Sequence, residues 1–233
     1  MPLKKTLRKI GTLNEKPLHE SLKQWYAQPS DTFEISVDGF VVDIVHGNLL
    51  IEIQTRNFQA IRRKLGKLLE RHQVRLVYPI PYEKWIIKQP DNEDGPVSRR
   101  KSPKRGAFIY VFDELISFPQ LLMNPNFSLE LLLIQEEEVR RYDGTHGWRR
   151  RGWVTHERRL LKVVDQRILK TPTDVNAFIP PELVGSFTTS DLANTLGKSR
   201  RFAQKMVYCL RLMGCITAVG KRANSILYAR ANT

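Results

Sequence analysis

At 233 residues the chain has room for one large domain or two small ones. Its 38 Lys and Arg against 24 Asp and Glu leave a net charge of +14 and a pI near 10.0, a field that attracts polyanions, nucleic acid first among them. The longest apolar stretches are too short to span a bilayer, and Met1-Pro2-Leu3-Lys4-Lys5 is followed by no apolar leader core. A cytoplasmic protein without a membrane partner is expected, associated with the nucleoid when bound.

In chain order, residues 1–12 read as a basic arm. Asn14 caps a helix that tolerates Pro17 in its first turn, with Leu18, Leu22, Trp25 and Tyr26 as its apolar stripe. Thr32 to Val37 alternates as a strand, and Asp38-Gly39 signals a hairpin turn. Two apolar strands follow, Phe40 to Val45 and Leu49 to Thr55, joined by His46-Gly47-Asn48. In the second, Glu52 and Gln54 share a face because alternate residues do so in any strand. In the first, Asp43 stands among Val and Ile, where a carboxylate costs several kcal/mol unless something pairs with it. Two such carboxylates side by side repel each other, and a divalent cation with oxygen ligands, magnesium in kind, is the simplest relief. A hairpin whose polar residues face water accounts for the same alternation.

Phe58 to about His72 has the helical spacing Phe58, Ile61, Leu65, Leu68, Leu69, with Lys64 on the flank of that face. Gln73 to Ile80 reads as a buried strand ending at a proline. Residues 90–106 are a loop, acidic then basic, whose basic half suits a phosphate backbone as well as water. Phe112 to Leu122 looks helical, Phe127 to Tyr142 fits helix or strand, and Glu157 to Leu169 fits either too. Between them, Trp148-Arg149-Arg150-Arg151-Gly152-Trp153 interleaves base and aromatic as nucleic-acid contacts do; an exposed hairpin with stacked Arg and Trp fits equally.

Phe187 to Leu196 is a capped short helix, Gly197-Lys198-Ser199 turns the chain, and Arg200 to Met213 makes a second helix. Thr217 to Arg230 then reads as strand, turn, strand, with Lys221 and Arg222 near the tip. Cys209 and Cys215 have no zinc-ligand partner at a usual spacing and read as buried thiols. No phosphate-binding loop is present, because Leu192 stands where its leading Gly is required.

The order helix, strand, strand, strand, helix, strand over residues 13–80, with Asp43 on the second strand and Glu52-x-Gln54 on the third, resembles the PD-(D/E)XK (restriction-endonuclease-like) nuclease superfamily. Gln54 stands where that family usually has Lys, a recurring variant. The resemblance implies an α/β fold, a restriction-endonuclease-like αβββαβ core with a central mixed sheet in residues 1–95. A basic linker and α+β middle region (96–179) and a C-terminal winged helix-turn-helix (180–233), which the last segment resembles, would follow.

It also implies the site. Asp43, Glu52 and the Ile53 carbonyl would hold Mg²⁺ or Mn²⁺, with Glu15 of the first helix, preferred over Glu20, as a further acidic ligand. Complementing the helix dipole is an alternative role for Glu15. Gln54 would orient water, and Lys64 would supply the missing lysine, although a lysine snorkelling beside the core has the same spacing. Ser199, Arg200, Arg201, Gln204 and Lys205 would meet DNA bases, with Lys221, Arg222 and Arg149 to Arg151 near phosphates. The expected activity is metal-dependent hydrolysis of DNA phosphodiesters, by a homodimer or within a larger nucleoprotein assembly, with no small-molecule cofactor. A non-catalytic DNA-binding regulator, or a partner-dependent subunit on a degenerate nuclease fold, is the alternative.

Overall fold

The computed structural model describes residues 17–90, 96–144 and 152–231. Helix α1 (Pro17–Tyr26) leads into strands β1 (Thr32–Val37), β2 (Phe40–His46) and β3 (Leu49–Ile53), then helix α2 (Phe58–Leu68) and strand β4 (Gln73–Gln89). A short strand β5 (Ser98–Lys101), helix α3 (Phe112–Leu115), and long strands β6 (Phe127–Tyr142) and β7 (Trp153–Leu169) follow. All seven strands form one sheet in the order β1-β2-β3-β4-β6-β7, with β5 added beside the far half of β4. The β3–β4 and β4–β6 pairings are parallel and the others antiparallel, so this is a mixed α/β sheet.

Each face carries its own core. Phe58, Ile61, Leu65 and Leu68 of α2 pack with Val74, Leu76, Phe127 and Leu129 on one side. Leu18 and Leu22 of α1 cover Ile51, Ile53, Val77 and Leu132 on the other. Trp25, expected in the stripe of α1, is 45% exposed instead. The buried neighbour of that stripe is Lys23, whose ammonium reaches Glu34 at 2.9 Å.

Two sequence expectations are corrected here. β4 does not stop at Ile80 but continues through Pro79 and Pro81 for 17 residues. Backbone direction alternates along a strand, so Val77, Pro79 and Pro81 aim at the side on which β3 lies. That strand ends opposite Val77, where the Gln54 N–H reaches the Val77 carbonyl. The N–H groups that proline lacks are therefore not missed. The Pro81 carbonyl is taken by the Gly106 N–H at 2.9 Å, an approach so close that a Cβ on residue 106 would lie 2.4 Å from that oxygen.

Second, Phe112 to Leu122 is not one helix. α3 is four residues long between 3₁₀ turns at Phe108–Val111 and Pro119–Met123, because Pro119 removes a donor and its ring would collide with the preceding turn. β6 and β7 complete the sheet itself, so a boundary at residue 95 falls between two of its strands.

The glutamate run in β6 shows why this stretch fitted both helix and strand. Its acids alternate between faces and find partners across strands, not along a helix. Lys84 lies 2.9 Å from Glu136 and 2.7 Å from Glu138, Arg140 and Thr155 also bond Glu138, and Arg99 meets Glu137 on the other face at 2.9 Å. Burial alone would raise Glu138, but these partners outweigh it and hold its carboxyl at about 2. The stability this provides is complete above the ordinary glutamate range near 4.5 and is lost as pH falls from there towards 2. Glu138→Gln should cost about 3 kcal/mol in urea unfolding at pH 7, and less at pH 3.

The chain ends in α4 (Pro172–Asn176), α5 (Thr189–Leu196), α6 (Arg200–Leu212) and a hairpin of β8 (Ile216–Arg222) and β9 (Ser225–Arg230). Thr188 and Asp191 form a capping box on α5, Gly197 ends it at φ 60°, and Ser199 caps α6. Phe202, Met206 and Leu210 of α6 share one core with Phe112 and Leu115 of α3. Cys209 and Cys215 are buried free thiols, as expected. Among the described residues, no helix is long and apolar enough to cross a membrane.

Candidate active site

The site lies where β2 and β3 part. Their ladder runs from His46–Leu49 to Ile44–Ile51. One residue further, the Asp43 carboxylate accepts the Ile53 N–H at 2.7 Å. A side chain thus replaces the backbone partner that Ile53 would otherwise need, and the strands open around it. Glu52, on β3 and 3% exposed, is the neighbouring carboxylate. Both line a cavity of about 240 Å³, together with Ile53, Gln54 and the Ala60 and Lys64 side of α2.

Lys64 closes the group. Its ammonium pairs with Glu52 and donates to the Val41 carbonyl at 2.5 Å, so it spans from α2 to both diverging strands. α2 places it there because Ile61, Leu65 and Leu68 lock the adjacent face into the core. From the opposite side, His19 of α1 lies with Nε2 3.1 Å from Asp43 Oδ2 and also lines the cavity. His19 was missed in the sequence. The available signal is its position beside Leu18, four residues after Glu15, the spacing that sets two side chains on one helix face.

The two carboxylates are pushed apart electrostatically. Burial works to raise Asp43, but the His19 contact, the Ile53 N–H and the charge of Lys64 together hold it below the usual range. Burial, and then the charge of Asp43, push Glu52 up to about 7 against the opposing pull of Lys64. A buried pair under this strain, both members oxygen donors, is the chemistry a hard divalent cation relieves, and the residues fit one. Among the described residues no group of three or more His, Cys, Asp and Glu stands ready for a metal. Two carboxylates and a carbonyl suit magnesium, which keeps several of its waters. Glu15 lies outside the described residues. Glu20, the disfavoured choice, contacts Gln24 at 3.1 Å and Lys23 at 3.3 Å along its own helix.

Gln54 lines the same cavity. Its amide nitrogen donates to the carbonyls of Arg56 (2.6 Å) and Asn57 (3.2 Å), bracing the turn into α2. Asn57 there has a left-handed backbone, φ 58°, and offers α2 no side-chain cap. The first N–H, that of Phe58, goes instead to Glu114 of α3 at 3.0 Å.

The neighbouring Asp113 pairs with Lys205 of α6 at 2.7 Å. Four residues thus connect the helix carrying Lys64 to α6. Of the side chains expected to meet DNA, Arg200, Arg201, Gln204 and Lys221 are exposed. Ser199 accepts the Phe202 N–H at 3.2 Å as the α6 cap. Lys205 is held by Asp113, and Arg222 pairs with Asp191. Ser199, Arg201 and Lys205 border a second cavity of about 240 Å³ with Tyr110 and Lys198. Arg149, Arg150 and Arg151 lie outside the described residues.

With this geometry in view, comparison with known proteins shows similarity to an uncharacterized protein of Treponema pallidum (strain Nichols). It is 30% identical over 224 residues, 95% of this chain and 87% of the relative. No solved structure matches the chain. The sequence pattern of a family described as "Domain of unknown function (DUF8091)" matches residues 16–170. That span takes in the whole sheet with α1, α2 and α3 and stops just before α4. The chain belongs to the DUF8091 family.

Proposed function

We propose that this protein is a metal-dependent nuclease of the PD-(D/E)XK type, and that its last 54 residues (180–233) act as a winged helix-turn-helix holding DNA. One observation carries the reading: Asp43, Glu52 and Lys64, from three different elements, meet at a single cavity. The order α1-β1-β2-β3-α2-β4, with β3 and β4 parallel, supports it.

Asp43, Glu52 and the Ile53 carbonyl would hold Mg²⁺ or Mn²⁺. Such a cation supplies Lewis acidity and positive charge to a phosphodiester. The chain's own groups do the rest. The Ile53 N–H and His19 fix the Asp43 carboxylate and keep it ionised. Among the described residues, Lys64 is the one Lys or Arg lining the cavity, and it offers charge and a proton to a phosphate oxygen. Gln54, with its amide nitrogen committed, shapes the rim.

The test is cleavage of end-labelled duplex, single-stranded and branched DNA with Mg²⁺, with Mn²⁺ and with chelator. Product in the metal lanes alone is expected; binding with no product under any of these conditions would sink the reading. For the DNA-holding module, Arg200→Glu with Arg201→Glu should weaken duplex binding at least about tenfold and lower its salt dependence. Lys205→Ala should do less, because Asp113 already occupies that ammonium.

A further inference from the structure

α2 carries four basic residues and no acidic one within its eleven positions. Arg62, Arg63 and Lys67 are exposed, as is Arg71 in the turn that ends the helix. Their spacing sorts them. Ala60 and Lys64 face the candidate active-site cavity. At 100° per residue Arg63, Lys67 and Arg71 follow along the solvent side of that row, while Arg62 falls on the opposite flank of the buried face. Arg63 and Lys67, and Lys67 and Arg71, are four residues apart, the spacing at which like charges oppose a helix. Among the described residues only the exposed Glu70 answers this row, through Lys67 at 3.0 Å.

The helix does not offset the repulsion at its own N-terminus either. Its first turn has no acid, and the carboxylate there, Glu114, comes from α3. A row of cations that the chain leaves largely uncompensated, beginning at the mouth of the cavity, asks for an anion that is itself a row. From Arg63 to Arg71 the helix and the turn that closes it rise about 12 Å, over which one strand of a duplex presents three or four phosphates.

We propose that Arg63, Lys67 and Arg71 form a phosphate-tracking ridge that lays one nucleic-acid strand along α2 and across the cavity holding Asp43, Glu52 and Lys64. The inference rests on the nuclease reading of that cavity and deepens it. The substrate is a polynucleotide gripped over several consecutive phosphates on one side of the scissile bond. A mononucleotide or small phosphate ester cannot reach the ridge and the cavity together. This surface is separate from α6, so the chain holds its substrate at two places.

The experiment uses the full chain carrying Arg63→Ala, Lys67→Ala and Arg71→Ala together, with Arg62→Ala as the control of equal exposure and opposite direction. Fluorescein-labelled DNA duplex is titrated across a salt series without divalent cation, and cleavage of the same duplex is followed with Mg²⁺. Thermal unfolding confirms that each variant folds. The triple variant should bind at least about tenfold more weakly, with the slope of log K against log salt reduced by about 2 to 3. Its KM should rise by a similar factor with kcat within about twofold, and Arg62→Ala should match the parent.

Binding unchanged in the triple variant, or weakened equally by Arg62→Ala, would overturn the ridge, as would a failure of the parent to bind DNA. Ridge-dependent binding without cleavage by any variant would instead overturn the nuclease reading and leave the ridge standing.

Discussion

Glu52→Gln and Asp43→Asn should each abolish metal-dependent cleavage, by about 10³-fold or more, and Glu52→Gln should at the same time make the metal-free protein more stable at pH 8. The activity arm follows from the donor set. Among the described residues two carboxylates line the cavity, so loss of either leaves one of them for the cation, and a single preorganised group of this kind is worth about 10²–10³-fold or more. DNA binding in chelator should be unaffected, since neither residue belongs to α2 or α6.

The stability arm is independent of any assay for cleavage. Glu52 titrates near 4.5 in the unfolded chain and at about 7 in the folded one. Between those values the unfolded chain gives up its proton first, so stability falls as pH rises through that window and stays low above it. Gln carries no such titration. It should flatten the pH dependence and gain on the order of 2 kcal/mol at pH 8, read by urea unfolding. Mg²⁺ should raise the Tm of the parent and leave Glu52→Gln unmoved. A buried acid that destabilises its own fold and is relieved by a cation marks a site kept for chemistry. Equal stability of parent and variant at pH 8 would remove that argument.

The parts of this site legible in the sequence are those fixed by local periodicity. Asp43 among β-branched residues and Glu52 in an alternating strand announce themselves, and Lys64 follows from the apolar spacing Phe58, Ile61, Leu65 and Leu68 of α2, all buried, as is Leu69 just past its end. What was hidden depends on partners distant in the chain. Pro81 reads as a stop because nothing local reveals that β3 has already ended, opposite Val77. Glu136 to Glu138 read as helical or extended until Lys84, Arg99 and Arg158 are seen across the strands. His19 is indistinguishable from a surface histidine until Asp43, 24 residues on, is brought to it. Nothing in the sequence gives Lys205 a partner until Asp113, 92 residues earlier, is found against it. Composition and period locate the carboxylates; topology decides which charges are already spoken for.

Lys64 provides the second large effect, with the opposite sign in stability. In the metal-free chain its ammonium pairs with Glu52 and donates to the Val41 carbonyl. Lys64→Met keeps most of the unbranched side chain and removes both. Glu52 loses the one charge that lowers its proton affinity, and the Val41 carbonyl loses a donor, so the variant should unfold with about 1–3 kcal/mol less urea resistance at pH 7. Cleavage should fall by about 10²-fold in kcat, because among the described residues no other lysine or arginine lines the cavity. The Mg²⁺ concentration needed for half-activation should not rise, since the ammonium competes with the metal for Glu52 and its removal frees that carboxylate. Arg at this position restores charge but has no proton to give at neutral pH and carries a wider head. Lys64→Arg should therefore recover stability before it recovers rate. A lysine that merely caps the core would show the reverse pattern: Lys64→Met would lose stability with kcat intact, and the cavity would have to find its positive charge elsewhere. These substitutions together separate the roles, because the two acids repel each other where they are buried while Lys64 pairs with one of them.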